Sequence, residues 1–175
     1  GGVPVGGAIV TNEAGTPTNA LAVLEDATRM LAAARTFSEV RKVRALAVAA
    51  RAYAKAHGLG EEARKYAGGV IVEADIRAGT ILKKMAEDGE RATPSSQMEL
   101  GSRPTLKDLG TNKKQSSNAQ AIAAEADAVR EWMATAKDVA PARAARVARD
   151  ARAAKVRAAK PAPILPATCD LRPGD

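Results

Sequence analysis

Residues 112–118 form a run of ammonium, amide and hydroxyl side chains, and this run is the strongest indication of function in the sequence. The run contains no acidic residue, and the next one is Glu125. Amide side chains hydrogen-bond to base edges, whereas lysine and serine side chains bind phosphates. We therefore predict that this segment contacts nucleic acid through Lys113, Lys114, Gln115, Ser117 and Asn118.

The residues around this run predict two short helices that would position it. Thr105 suits the cap of a first helix that ends at Gly110, and Asn112 suits the cap of a second, with Gln115 completing a capping box. A short helix, a glycine turn and a second helix are the parts of a helix-turn-helix, and a helix N-terminus favours an anion. The alternative is an ordinary connection within a helical bundle, because expected apolar positions hold Thr111, Ser116 and Ala119.

A second basic element follows Pro141, which suits the first turn of a helix. Only Val147 and Val156 exceed alanine in apolar size there, so we expect this helix to bury little and to form fully only against phosphates or a partner. We interpret it as a nucleic-acid-binding arm, and the alternative is a solvated, frayed helix. Its cations recur at every third residue up to Lys155, and the predicted nucleic-acid contacts among them are Arg143, Arg146, Arg149 and Arg152.

The charge of the chain is concentrated in the same region. The net charge is +7, of which residues 1–102 contribute +1, residues 103–160 contribute +7 and residues 161–175 contribute −1. A basic excess confined to one segment is typical of a surface that binds phosphates. The alternative is a solvated helical face.

The composition predicts an all-α fold. Hydrophobic residues make up 46% of the chain, but 41 of its 175 residues are alanine and only four are aromatic. Alanine is the best helix former and buries little area, which favours long, closely packed helices over a thin core. Helical spacing predicts helices over 18–35, 38–57 (capped by Ser38) and 61–88, with Gly68 and Gly69 marking either a kink or a close approach.

These helices suggest a division of the chain into segments. Helices 38–57 and 61–88 would form a long antiparallel hairpin, with the first helix beside it, and a core this thin favours a homodimer. The predicted segments are a flexible leader 1–17, the hairpin and dimerisation region 18–88, a linker 89–104, the helix-turn-helix-like module 105–137, the basic helix 138–160 and a disordered tail 161–175.

The sequence offers little for catalysis or metal binding. His57 has no motif around it and suits a cationic helix C-terminus, while the single cysteine, Cys169, has no partner for a disulfide. A magnesium site built from Glu73 and Asp75 is conceivable, but residues two apart on a helix point to different sides. We therefore expect that the protein is not an enzyme and that it binds no cofactor and no metal ion. No apolar stretch is long enough for a membrane span, so we expect a cytoplasmic protein.

Several blocks of the sequence resemble a family of small phage and mobile-element proteins. The blocks are 24–31 (LEDATRML), 39–44 (EVRKVR), 51–56 (RAYAKA), 74–79 (ADIRAG) with Ile81, Leu82 and Met85, and 105–123 (TLKDLGTNKKQSSNAQAIA). The resemblance implies a phage or prophage origin, a helix-turn-helix and a DNA-binding accessory role. Thr111 stands where the family has isoleucine, and Ala119 stands where it has tryptophan.

The leading hypothesis is a DNA-binding accessory or regulatory protein. Residues 105–124 and the basic helix would both contact DNA, and the 18–88 region would join two copies. The alternative is a helical adaptor that binds an acidic protein, with a partner surface on residues 38–88.

Overall fold

The computed structural model describes residues 17–91 and 103–159, and within these ranges the chain is helical, with no β-strand. The prediction of an all-α fold is confirmed. The predicted leader, most of the predicted linker, the predicted tail and Cys169 lie outside the described residues. The helices are α1 (Pro17–Ala33), α2 (Phe37–Ala56), α3 (Glu61–Glu87), α4 (Lys113–Ala124), α5 (Ala126–Thr135) and α6 (Pro141–Ala159).

A capping box fixes where α2 begins. The Thr36 hydroxyl accepts a hydrogen bond from the Glu39 amide at 3.3 Å, and the Glu39 carboxylate accepts one from the Thr36 amide at 2.9 Å. The prediction that Ser38 caps this helix is wrong, because α2 already begins at Phe37 and its N-cap residue is Thr36. At the other end, His57 is the C-cap residue, and Gly58 follows with φ +63°.

The first core lies between α1, α2 and α3. Residues 57–60 join α2 to α3, and the two helices pack along each other. They run in opposite directions, because the short connection keeps the end of α2 beside the start of α3 while Arg44 in the middle of α2 bonds to Asp75 in the middle of α3. Each helix presents an apolar side chain at every third or fourth position, as a buried face requires. The largest fully buried members are Leu24, Val40, Val43, Ile71 and Leu82.

The second core lies on another side of α3 and contains α4, α5 and α6. Val72 and Ile76 of α3 pack there with Ile122, Val129 and the alanines Ala144, Ala145 and Ala148. Trp132 is half-buried and packs against the same cluster. The helix α3, which belongs to the predicted hairpin, therefore also contributes to the core of the segment that was predicted to be a separate module.

Two glycines let α4 and the connection between α5 and α6 approach the backbone of α3. A Cβ atom on Gly68 would lie 3.0 Å from the carbonyl carbon of Val139. A Cβ atom on Gly79 would lie 2.8 Å from the Cβ of Ala123 and well inside contact distance of the Ala119 carbonyl. Of the two explanations offered for Gly68, close approach is the one observed, because α3 is continuous from Glu61 to Glu87.

Glu125 separates α4 from α5. The backbone of Glu125 leaves the helical region, with φ −120° and ψ 36°, so α4 ends at Ala124 and α5 begins at Ala126. The side chain of Glu125 is only 9% exposed and accepts a hydrogen bond from the Lys155 ammonium at 2.6 Å. This contact joins the α4–α5 corner to the far end of α6.

The expectation that the last helix buries little is wrong for its first half. Ala144, Ala145 and Ala148 are buried against the second core, whereas every residue from 152 to 159 is exposed. Alanine is small enough for the α6 backbone to lie close to its neighbours, so the absence of large side chains does not prevent packing.

Candidate nucleic-acid interface

A single tight turn precedes α4 in place of the predicted first helix. The Thr105 hydroxyl and amide both donate to the Asp108 carboxylate, at 2.6 and 2.8 Å, and these bonds lower the pKa of Asp108. Gly110 ends the turn with φ +67°, a conformation that glycine adopts at little cost. The Arg41 guanidinium of α2 donates to the Leu109 carbonyl at 2.9 Å, so the turn is held against the first core.

Asn112 caps α4 as predicted, but the capping box is incomplete. The Asn112 side-chain oxygen accepts a hydrogen bond from the Gln115 amide at 2.8 Å. The Gln115 side chain instead contacts the Thr111 hydroxyl at 3.2 Å, so the reciprocal bond to Asn112 is not made. The hydroxyl of Thr111 competes for Gln115, which the spacing alone did not indicate. The cap leaves Lys113 and Lys114 exposed in the first turn.

The N-terminal half of α4 borders a groove with a volume of about 590 Å³. Its floor is apolar, and includes Ala78, Leu82 and Ile122. Three helices place cationic side chains along it, and we call it the cationic groove, after its cations Arg41, Arg44, Lys114 and Arg149.

The cationic groove has only one acidic side chain among its lining residues, Asp75. Its carboxylate accepts a hydrogen bond from Arg44 Nε at 2.6 Å. Burial raises the pKa of Asp75, and Arg44 opposes this effect only in part. Lys114 and Arg149 form no ion pair with any residue in the described ranges. The groove is therefore positive, with two cations free to bind an external anion.

The structure brings together four of the nine side chains predicted to bind nucleic acid. Lys114, Gln115, Asn118 and Arg149 line the cationic groove. The other five do not line it, although all are exposed: Lys113, Ser117, Arg143, Arg146 and Arg152.

Helical geometry explains why the basic residues of α6 do not stay together. Residues three apart on an α-helix are offset backwards by about 60° around the axis. The series therefore changes direction along the helix. Arg143 faces solvent, Arg149 faces the cationic groove and Lys155 faces Glu125. Arg146 additionally lies 3.8 Å from the Asp150 carboxylate.

Two groove cations, Arg41 and Arg44, were not among the predicted site residues. Both lie on α2, far in sequence from the polar run. Their spacing carries a signal, because Phe37, Arg41 and Arg44 follow one another at i, i+4 and i+7 and so share one side of α2. That side faces the cationic groove.

The two acidic residues considered for magnesium lie on different sides of α3, as predicted. Asp75 faces the cationic groove, whereas Glu73 accepts hydrogen bonds from Arg130 at 2.8 and 3.0 Å on the other side. The paired carboxylate raises the pKa of Arg130. In residues 17–91 and 103–159, no three His, Cys, Asp or Glu side chains are grouped to hold a metal ion.

None of the six described helices is both long enough and apolar enough to span a membrane. Comparison of the chain with protein-family models, with curated proteins and with solved structures gives no match. The resemblance to phage and mobile-element proteins therefore stays a prediction from the sequence blocks.

Proposed function

We propose that this protein binds nucleic acid through the cationic groove, as a DNA-binding accessory or regulatory protein of phage or mobile-element type. The observation that carries the proposal is the convergence of four cations from α2, α4 and α6 on one groove that contains a single, already paired carboxylate. The sequence resemblance to mobile-element proteins supports the same role.

The chemistry of the groove suits phosphates first and bases second. Lys114 and Arg149 have no competing carboxylate within the described residues, so phosphate binding would displace only water and counterions. Gln115 and Asn118 lie beside them and supply the amide groups that recognise base edges. The exposed cations Arg143, Arg146 and Arg152 would extend the contact along the backbone of a bound strand.

The test is an anisotropy titration of the full chain against labelled mixed-sequence duplex and single-stranded DNA, at about 50 and about 200 mM salt. We expect affinity to fall steeply with salt. The double variant Lys114→Glu and Arg149→Glu should bind more weakly and show a salt dependence reduced by about two ions, one for each phosphate that these cations no longer neutralise.

A matched control carries the same change in charge elsewhere. Lys55 and Lys137 are exposed, do not line the cationic groove and form no ion pair in the described part of the chain. Lys55→Glu with Lys137→Glu should therefore leave the salt dependence close to that of the unchanged protein. Equal reductions in affinity in both double variants would show that net charge, and not the groove, determines binding.

A helical adaptor for an acidic protein is the second candidate, because the cationic groove would also accept carboxylates. It predicts no DNA binding at about 150 mM salt, where the nucleic-acid proposal still expects a measurable complex. Absence of binding even at the lower salt would refute the proposed function. The expected homodimer would present two cationic grooves to one DNA, but DNA binding through one groove does not require it.

A further inference from the structure

A second groove lies on a different side of α3, between α1 and α5, and has a volume of about 860 Å³. Its α3 wall includes Tyr66, Val70, Glu73, Arg77 and Ile81, which recur at every third or fourth residue over about 22 Å of helix. The walls also include Leu31 from α1 and Met133 from α5. We call this concavity the apolar groove. It is a channel along a helix whose other sides are covered by α2 and α4.

Gly69 lies in this groove, and it is the glycine of α3 that the fold does not explain. Gly68 and Gly79 are each required by a neighbouring backbone, but a Cβ atom on Gly69 would meet nothing within 4 Å. A glycine inside a helix costs about 1 kcal/mol relative to alanine. Glycine at such a position suits a second helix whose backbone approaches closely, as α4 does at Gly79.

The rim of the apolar groove is cationic. Arg35, Lys65 and Arg77 line it, and none of their side chains forms an ion pair with a described residue. The fourth cation, Arg130, is neutralised by Glu73. An occupant with an apolar face and acidic flanks would therefore fit the groove.

The exposed side of α1 supplies carboxylates for this rim. Glu25 and Asp26 are exposed there, and Met30 on the same helix is 47% exposed and adds apolar surface. Asp26 pairs with Arg29, which leaves the Glu25 carboxylate without a partner in the described ranges. Because α1 also forms one wall of the apolar groove, a twofold arrangement would let each copy place its α1 in the groove of the other.

We propose that a second copy of this chain occupies the apolar groove, with the outer face of its α1 packed over Gly69 and its acidic side chains near Lys65 and Arg77. The interface involves α1, α3 and α5. It leaves the cationic groove open, so it does not depend on the proposed nucleic-acid function.

The test is sedimentation equilibrium of the full chain from about 1 to about 200 µM, where a moderate dimer affinity becomes visible. We expect the mass to approach that of two chains. Gly69→Leu should shift the dimer dissociation constant upward by at least tenfold, while helical content stays unchanged because the site is open in one copy. Ala52→Leu, on the exposed face of α2, adds the same side chain outside the groove and should leave association unchanged.

A charge exchange tests the orientation of the partner. Lys65→Glu with Arg77→Glu should weaken the dimer, and adding Glu25→Lys with Asp26→Lys in the same chain should restore it. A single-chain mass at every concentration would overturn the proposal, and so would a dimer that Gly69→Leu does not weaken. Saturable binding of dodecanoate by a protein that stays monomeric would assign the groove to a small amphipathic anion instead. DNA titration of the same variants separates this result from the proposed function.

Discussion

The contact between α3 and α4 at Gly79 makes a sharp prediction about stability. Replacing Gly79 with alanine places a methyl group against the Ala119 carbonyl and 2.8 Å from the Cβ of Ala123. Replacing Gly69, ten residues earlier on the same helix, places a methyl group where nothing lies within 4 Å. The two substitutions are chemically identical, and only their surroundings differ.

The expected magnitudes follow from two opposing effects. Each substitution gains about 1 kcal/mol of helix propensity. At Gly79 the obstructing atoms are the Ala119 carbonyl and the Ala123 Cβ, which no rotamer change can move. The overpacking cost therefore falls at the upper end of its usual range, about 3 kcal/mol. Gly79→Ala should therefore destabilise the protein by about 2 kcal/mol, and Gly69→Ala should stabilise it by about 1 kcal/mol.

Urea unfolding followed by circular dichroism measures this difference, at about 2 µM protein to limit self-association. The midpoints of the two variants should lie on opposite sides of the unchanged protein. Hydrogen exchange should also quicken in α4 of Gly79→Ala, because that helix is displaced. Equal stability of the two variants would refute the close approach of α3 and α4.

Two further predictions concern carboxylates. Burial raises the pKa of Asp75 above 3.8, so the free energy of unfolding falls as the pH rises through the interval above 3.8 and the carboxyl ionises. Asp75→Asn should remove this loss of stability, as measured by unfolding at a series of pH values. The same variant should strengthen DNA binding, because it frees Arg44 from its ion pair. Backbone hydrogen bonds from Arg35 and Thr36 lower the pKa of Glu39 below 4.5, so its contribution to folding stability is present above that pH and disappears as the pH falls. The melting temperature of Glu39→Gln should therefore differ from that of the unchanged protein at neutral pH and converge with it in acid. A difference that stays constant with pH would contradict the capping role of the Glu39 carboxylate.

Local features of the fold were the most predictable from the sequence. The cap at Asn112, the turn at Gly110 and the existence of α2 and α3 depend on residues within a few positions of each other, which the pattern contains. The cap of α2 was misplaced because Thr36 and Ser38 both suit that role, and only the reach of Glu39 back to the Thr36 amide distinguishes them.

The candidate site was less predictable because it is assembled across the chain. Lys114 and Arg149 were identified from local composition, whereas Arg41 joins them only because α4 packs on α3. That packing depends on Gly79, whose need for space arises from Ala119, forty residues later. The pattern of either segment alone contains no sign of the other.

The shared position of α3 has a consequence for synthesis of the chain. Residues 17–91 contain most of the first core, but Val72 and Ile76 acquire the apolar neighbours of the second core only from residues 122–148. While the chain is still being translated, this face of α3 has nothing to cover it until Ala148 has left the ribosome. The nascent protein therefore exposes an apolar face of α3, which can associate with other chains, until the later helices cover it. The rate at which those helices emerge from the exit tunnel sets how long the face stays exposed.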